Sequence, residues 1–147
     1  MNSNKTLAAG LAGTTFMTLF SEAVSRIEGS NYNEAEVLGE LFNRITPLNK
    51  AEARVAGYTG HYIVGLGFAV VYSAYLNKFK TKPSILNGIV YGALSGIAGA
   101  AVWHAAFKAH PNPLGVKLGN YYQQLVLAHI IFGVSAALVL QTKKQII

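Results

Sequence analysis

Apolar residues fall into four long blocks, interrupted mainly by small or isolated polar residues and separated by short polar stretches. A bilayer core of about 30 Å needs roughly 20 residues of helix to cross it, and each block meets that length. The first, about residues 6–27, stops before Gly29. The second, about 50–76, follows Asn49, with Glu52 three positions on. That pair can satisfy the free N–H groups of a helix start. The third, about 83–109, opens at Pro83, a favoured first helical residue, and is stopped by His110-Pro111-Asn112-Pro113. The fourth covers about 120–141. The pattern predicts an all-α integral membrane four-helix bundle, a single transmembrane domain over 1–147. The first block carries Lys5 and small residues, as a signal peptide does. Its apolar run reaches about Val24 without a small-x-small cleavage site, so it reads as a retained span.

A segment of different character, about 33–46, lies between the first two spans. Asn33 and Glu36 repeat the capping pattern, and Pro47 ends the segment. Val37, Leu38, Leu41, Phe42 and Ile45 recur at helical spacing and are set opposite Glu34, Glu36, Glu40 and Asn43. A short external amphipathic helix is expected, lying on the membrane surface or folded over the bundle.

Composition agrees with this reading. Of the 147 residues 52% are hydrophobic and only 12% charged, against about 25% charged in soluble domains. So little charge cannot coat a globule of this size in water. The absence of cysteine excludes disulfides and thiolate chemistry. The net charge is +6, and all six acidic residues lie between Glu22 and Glu52. The turn 77–83 holds Lys78, Lys80 and Lys82 without an acid, and Lys5, Lys143 and Lys144 fall on the same side. Basic residues near span ends mark the cytoplasmic side, so both termini and the lysine turn are expected in the cytoplasm. The lysines bracket apolar runs and form no stripe with interleaved aromatics, which argues against a nucleic-acid partner. The expected partner is the lipid bilayer.

Small residues are dense in the spans. Gly88, Gly92 and Gly96 are spaced by four, Gly99 follows, and the second span has Gly57, Gly60 and Gly65. Such spacing makes a groove where another helix backbone approaches closely, in the same chain, a homo-oligomer or a larger complex. Gly10-Leu11-Ala12-Gly13 echoes Gly96-Ile97-Ala98-Gly99, and His61-x-x-x-Gly65 echoes His129-x-x-x-Gly133, a weak sign of duplication.

Ionisable residues inside a bilayer usually face the bundle interior. Glu22, His61, His104 and His129, one per span, are placed at similar depth by the 1.5 Å rise per residue, with His129 somewhat deeper. Several readings stay open. Neutral histidines can hydrogen-bond between helices. Three imidazoles and a carboxylate suit a divalent metal such as zinc. The same groups can form a proton or ion path. A b-type haem between His61 and His129 is a further option, since the glycine four residues after each makes room for a flat ring. His110 is read as a solvated loop residue. Without Asp or Cys, Ser-His-Asp and Cys-His sites cannot be built, and no nucleotide loop or nucleophile elbow is present, so no enzyme is expected.

From Gly57 to Lys144 the chain resembles the YagU-like group of small bacterial inner-membrane proteins. The resemblance rests on His61 followed by Phe68-Ala69-Val70-Val71-Tyr72, the lysine turn, and Gly88 to Gly96. It continues through His104, the Pro113 loop, Tyr121, Tyr122 and His129. It implies a bacterial inner membrane location and a role in acid or envelope stress, without a mechanism. The expectation is a non-enzymatic accessory or self-assembling bundle. A small proton- or ion-linked transporter or channel, and a haem or metal carrier, are the alternatives.

Overall fold

The computed structural model describes residues 2–142, so Lys143 and Lys144 lie outside the described residues. The described residues form an all-helical bundle of five helices. α1 (Ser3–Glu28) is capped by the Asn2 side chain and ends at Gly29. There the backbone turns left-handed at φ 63°, a conformation that glycine adopts without a Cβ clash. α2 (Glu34–Ile45) starts at Asn33, whose side chain accepts from the Ala35 and Glu36 N–H groups. The Glu36 carboxylate does not complete the expected reciprocal cap, because it binds Arg54 at 2.6 Å and Tyr58 instead. α3 (Lys50–Lys78) carries the full capping box of Asn49 and Glu52. α4 (Ile85–Ala109) begins later than expected. Ser84, in extended backbone, accepts from Asn87 N–H and takes the cap, so Pro83 lies outside the helix. α5 is Leu118–Gln141.

Helices α1, α3, α4 and α5 are each long and apolar enough to cross a membrane, and the chain is a multi-pass membrane protein. Large apolar side chains on their outer faces are more than half exposed, among them Phe16, Leu19, Val71, Leu86, Leu94 and Val102. Lipid is the environment that makes such faces stable. Chain direction puts α2 and the α4–α5 loop at one end of the bundle. The start of α1, the lysine turn and the end of α5 are at the other, where the Lys5 ammonium donates to the Thr142 carbonyl.

The spans do not close into a ring of equal contacts. α1 packs between α3 and α5, α4 packs on α5, and α2 packs on α3. The α4 glycines face α5 of the same chain: a Cβ on Gly88 would come within 2.5 Å of the Gly133 carbonyl oxygen, and one on Gly92 within 2.5 Å of Ile130 Cα. Helices α3 and α4 scarcely touch. They meet toward the lysine turn, where Tyr91 donates to the Phe68 carbonyl at 2.7 Å and stacks on Tyr72.

α2 folds antiparallel along the start of α3, with Gly39 of α2 against Ala53 and Gly57 of α3. Val37 and Leu41 are buried and Glu40 and Arg44 exposed, as the amphipathic pattern requires, but Ile45, the last residue of α2, is 54% exposed. Glu34 departs from that pattern. The residue pattern sets it on the polar face, yet it is 1% exposed, because the first turn of α2 reaches in to Ser21 of α1.

Candidate functional site

Where α3 and α4 diverge, a cavity of about 250 Å³ opens. Thr14 and Met17 of α1 and His129 and Phe132 of α5 form its floor. Its sides are His61, Val64, Gly65 and Phe68 of α3 and Gly99, Val102, Trp103 and Ala106 of α4, with Glu34 and Leu38 of α2 at one end. Val64 and Val102 are more than half exposed, so the gap between α3 and α4 leads sideways, toward lipid. The lining is almost wholly apolar, and its polar groups can be assigned one by one.

Thr18 has a single hydroxyl proton, which it donates to the Thr14 carbonyl at 2.7 Å. Its oxygen therefore accepts from His61 Nε2 at 3.0 Å, which makes His61 the Nε2–H tautomer with Nδ1 an acceptor. His129 Nδ1 lies 2.9 Å from the Leu125 carbonyl, which can only accept. His129 is therefore the Nδ1–H tautomer with Nε2 an acceptor. That edge of the ring lies against Gly99, where a Cβ would approach Nε2 to 3.2 Å.

The third polar group is the Glu34 carboxyl. Gln124 Nε2 donates to Ser21 Oγ at 2.7 Å, and Ser21 Oγ donates to Glu34 Oε1 at 3.0 Å. Glu34 Oε2 and Gln124 Oε1 are buried without a hydrogen-bond partner among the described residues. Desolvation raises the Glu34 carboxyl from the ordinary range to about 7, against the opposing effect of the backbone and Ser21 hydrogen bonds and of the nearby Gln124 amide.

The residues expected to share one site divide into two groups. His61 and His129 line the cavity. His104 is exposed on another face of α4, with Nδ1 3.2 Å from the Tyr122 hydroxyl. Glu22 lies on the outer surface of the bundle, paired with Arg26 at 2.9 Å and accepting from Asn33 Nδ2 at 3.2 Å. Each of these two follows an inward-facing neighbour by one residue: Ser21 precedes Glu22 and Trp103 precedes His104. One helical step is a rotation of about 100°, which carries the side chain out of the interior at unchanged depth.

No group of three His, Cys, Asp or Glu side chains among the described residues is placed to hold a metal. Of the two glycines read as making room for a flat ring, Gly133 is filled by Gly88 and Gly92 of α4, while Gly65 packs on Thr14 and borders the cavity. His110 is not merely solvated, since its Nε2 donates to the Leu41 carbonyl at 3.1 Å and its Nδ1 accepts from Asn112 N–H. Glu34 was missed although the signal was present. It stands three, four and seven residues before Val37, Leu38 and Leu41, which puts it on their face of the helix.

Fold and site together define a multi-pass helical membrane protein with a laterally open apolar cavity. No family model, curated protein or solved structure matches the chain.

Proposed function

We propose that this protein is a non-enzymatic bundle of the bacterial inner membrane that takes up a small lipophilic molecule from the bilayer into the cavity between α3 and α4. The observation that carries this reading is the cavity itself, apolar, open sideways at the level of the spans, and furnished with a few convergent polar groups. That combination is the usual form of a small-molecule site. A helix pair that meets where Tyr91 reaches Phe68 and Tyr72 leaves, beyond that point, a gap that a closed bundle would fill with side chains. The lysine turn and Lys5 favour an orientation with α2 outside and the turn in the cytoplasm. The YagU-like resemblance supports the same membrane, and accessory contacts to other subunits remain compatible with the outer faces.

Trp103 is the chain's one tryptophan and stands in the cavity wall, so it reports on occupancy. In nanodiscs of phosphatidylcholine, para-bromophenethyl alcohol or para-bromophenethylamine should quench Trp103 fluorescence saturably. Ala106→Phe, which fills the mouth from an exposed position, should abolish saturation. Quenching that rises linearly for all such probes, or is untouched by Ala106→Phe, would mean that only bulk partitioning is seen and the cavity is no site.

A further inference from the structure

Apart from the Trp103 indole N–H, a donor, the histidine and carboxyl groups of the cavity offer acceptors. With the tautomers assigned above, His61 Nδ1 and His129 Nε2 are acceptors. Ser21 already donates to one oxygen of Glu34, and the other, Oε2, is buried with no partner among the described residues. A buried carboxyl oxygen without a partner is expensive. Native structures nearly always satisfy such an atom with protein, water or a ligand. Glu34 belongs to the cavity lining at its α2 end, and Oε2 itself has almost no accessible surface, so a ligand in the cavity meets it once the carboxyl turns toward the cavity.

We propose that the cavity is a site for a compact lipophilic primary amine, whose ammonium group donates to Glu34 Oε2 while its apolar body lies among Phe68, Trp103 and Phe132. This choice of ligand class rests on the cavity being a binding site, and each element of it follows from the lining. An ammonium carries three donors and no acceptor, which matches a set of acceptors. Glu34 gives up its proton to solvent as the ammonium binds, and the ligand's positive charge then offsets that of the carboxylate in a medium where neither charge is stable alone. Aromatic faces in the wall attract a cation and also cover an apolar body. An anionic amphiphile brings a negative charge to a carboxyl that burial already keeps from ionising, and offers it no compensating cation. An alcohol supplies a single donor and no charge. Size sets the rest: a cavity of about 150 Å³ holds benzene, so about 250 Å³ accepts one ring with a short amine-bearing tail. Entry is lateral, between Val64 and Val102.

Three probes of one shape separate the possibilities: para-bromophenethylamine, para-bromophenethyl alcohol and para-bromophenylacetate, each titrated against Trp103 fluorescence in phosphatidylcholine nanodiscs. The amine is expected to saturate at a concentration at least tenfold below the alcohol, and the acid to show no saturable phase. Glu34→Gln, which keeps the shape and the acceptor for Ser21, is expected to remove the amine's advantage and leave the alcohol unchanged. Equal saturation by amine and alcohol in the wild-type protein, abolished by Ala106→Phe, would overturn the amine assignment while the cavity stood as a site. An amine advantage that persists in Glu34→Gln would overturn the role of Glu34. Loss of saturation for every probe would remove the cavity reading itself. The wild-type comparison among probes does not depend on the folding of any variant.

Discussion

Ser21 of α1 donates its only proton to Glu34 of α2 at 3.0 Å, and both side chains are essentially inaccessible to solvent. The bond links a membrane span to a helix outside the spans, and Gln124 extends it to α5. Ser21→Ala removes the donor for Glu34 and the acceptor for Gln124 together. Leaving a buried polar group without its partner costs about 1–3 kcal/mol. A loss of that size is expected in thermal unfolding of the detergent-purified protein, and none if water replaces the hydroxyl at no cost.

Glu34 should make stability depend on pH. Desolvation raises its carboxyl from 4.5 to about 7 in the folded protein. Around it stand Ser21 from α1, Gln124 and Tyr121 from α5, Trp103 from α4, and His61 and His129 in the same cavity. No ion pair reaches it among the described residues. Between the two values the folded state keeps a proton that the unfolded state has released, so stability falls as pH rises through that window and levels off above it. The full effect is on the order of 3 kcal/mol at about 1.4 kcal/mol per pH unit. The unfolding midpoint of the wild type relative to Glu34→Gln should drop between about pH 5 and about pH 8. A constant difference would show that the carboxyl is not desolvated.

Gly92 and Gly67 should respond oppositely to a larger side chain. A Cβ on Gly92 would meet the backbone of His129 and Ile130, whereas one on Gly67 meets nothing within 4 Å. Gly92→Leu must push α4 from α5, and overpacking of this kind typically costs about 1–3 kcal/mol or more. Gly67→Ala is expected to lose nothing. Equal melting curves for the two variants would contradict the contact between α4 and α5.

His110 and Arg44 fasten the α4–α5 loop to α2, through the Leu41 carbonyl and through the Asn112 and Pro113 carbonyls. His110→Ala should raise hydrogen exchange in α2 and the loop by an amount corresponding to about 1 kcal/mol, with amides of α1 and α5 unaffected. Uniformly unchanged exchange would show the clasp to be incidental.

The chain has no cysteine, so single cysteines can be labelled without background. Glu40→Cys and Lys82→Cys both lie at exposed positions, at opposite ends of the bundle. Membrane-impermeant maleimide added to one side of sealed vesicles should modify one and spare the other. Modification of both from one side is incompatible with four crossings.

The number of helices long enough to cross, and the cap at Asn49, were legible because they depend on local sequence: runs of about 20 apolar residues and a side chain three positions from its partner. The Ser84 cap was hidden by Pro83, an equally plausible helix start that differs by two positions. Glu34 was hidden by its chemical type. A glutamate in a polar segment reads as a solvated face, although its spacing to Val37 and Leu41 placed it on the buried one.

What the sequence determined by itself was which segments are long and apolar enough to cross the bilayer and how far along each helix a polar residue falls, since both follow from hydropathy and the fixed rise of a helix. Which way a residue faces was decided only by the tertiary structure. In a soluble protein the apolar stripe of a helix marks its inward face, but a span is apolar toward lipid and toward its neighbours alike. Ser21 and Glu22, or Trp103 and His104, are therefore indistinguishable by depth. They are separated only when glycine contacts set the rotation of α4 on α5, and when α2, folding back on α3, brings Glu34 to a cavity its own segment does not foreshadow.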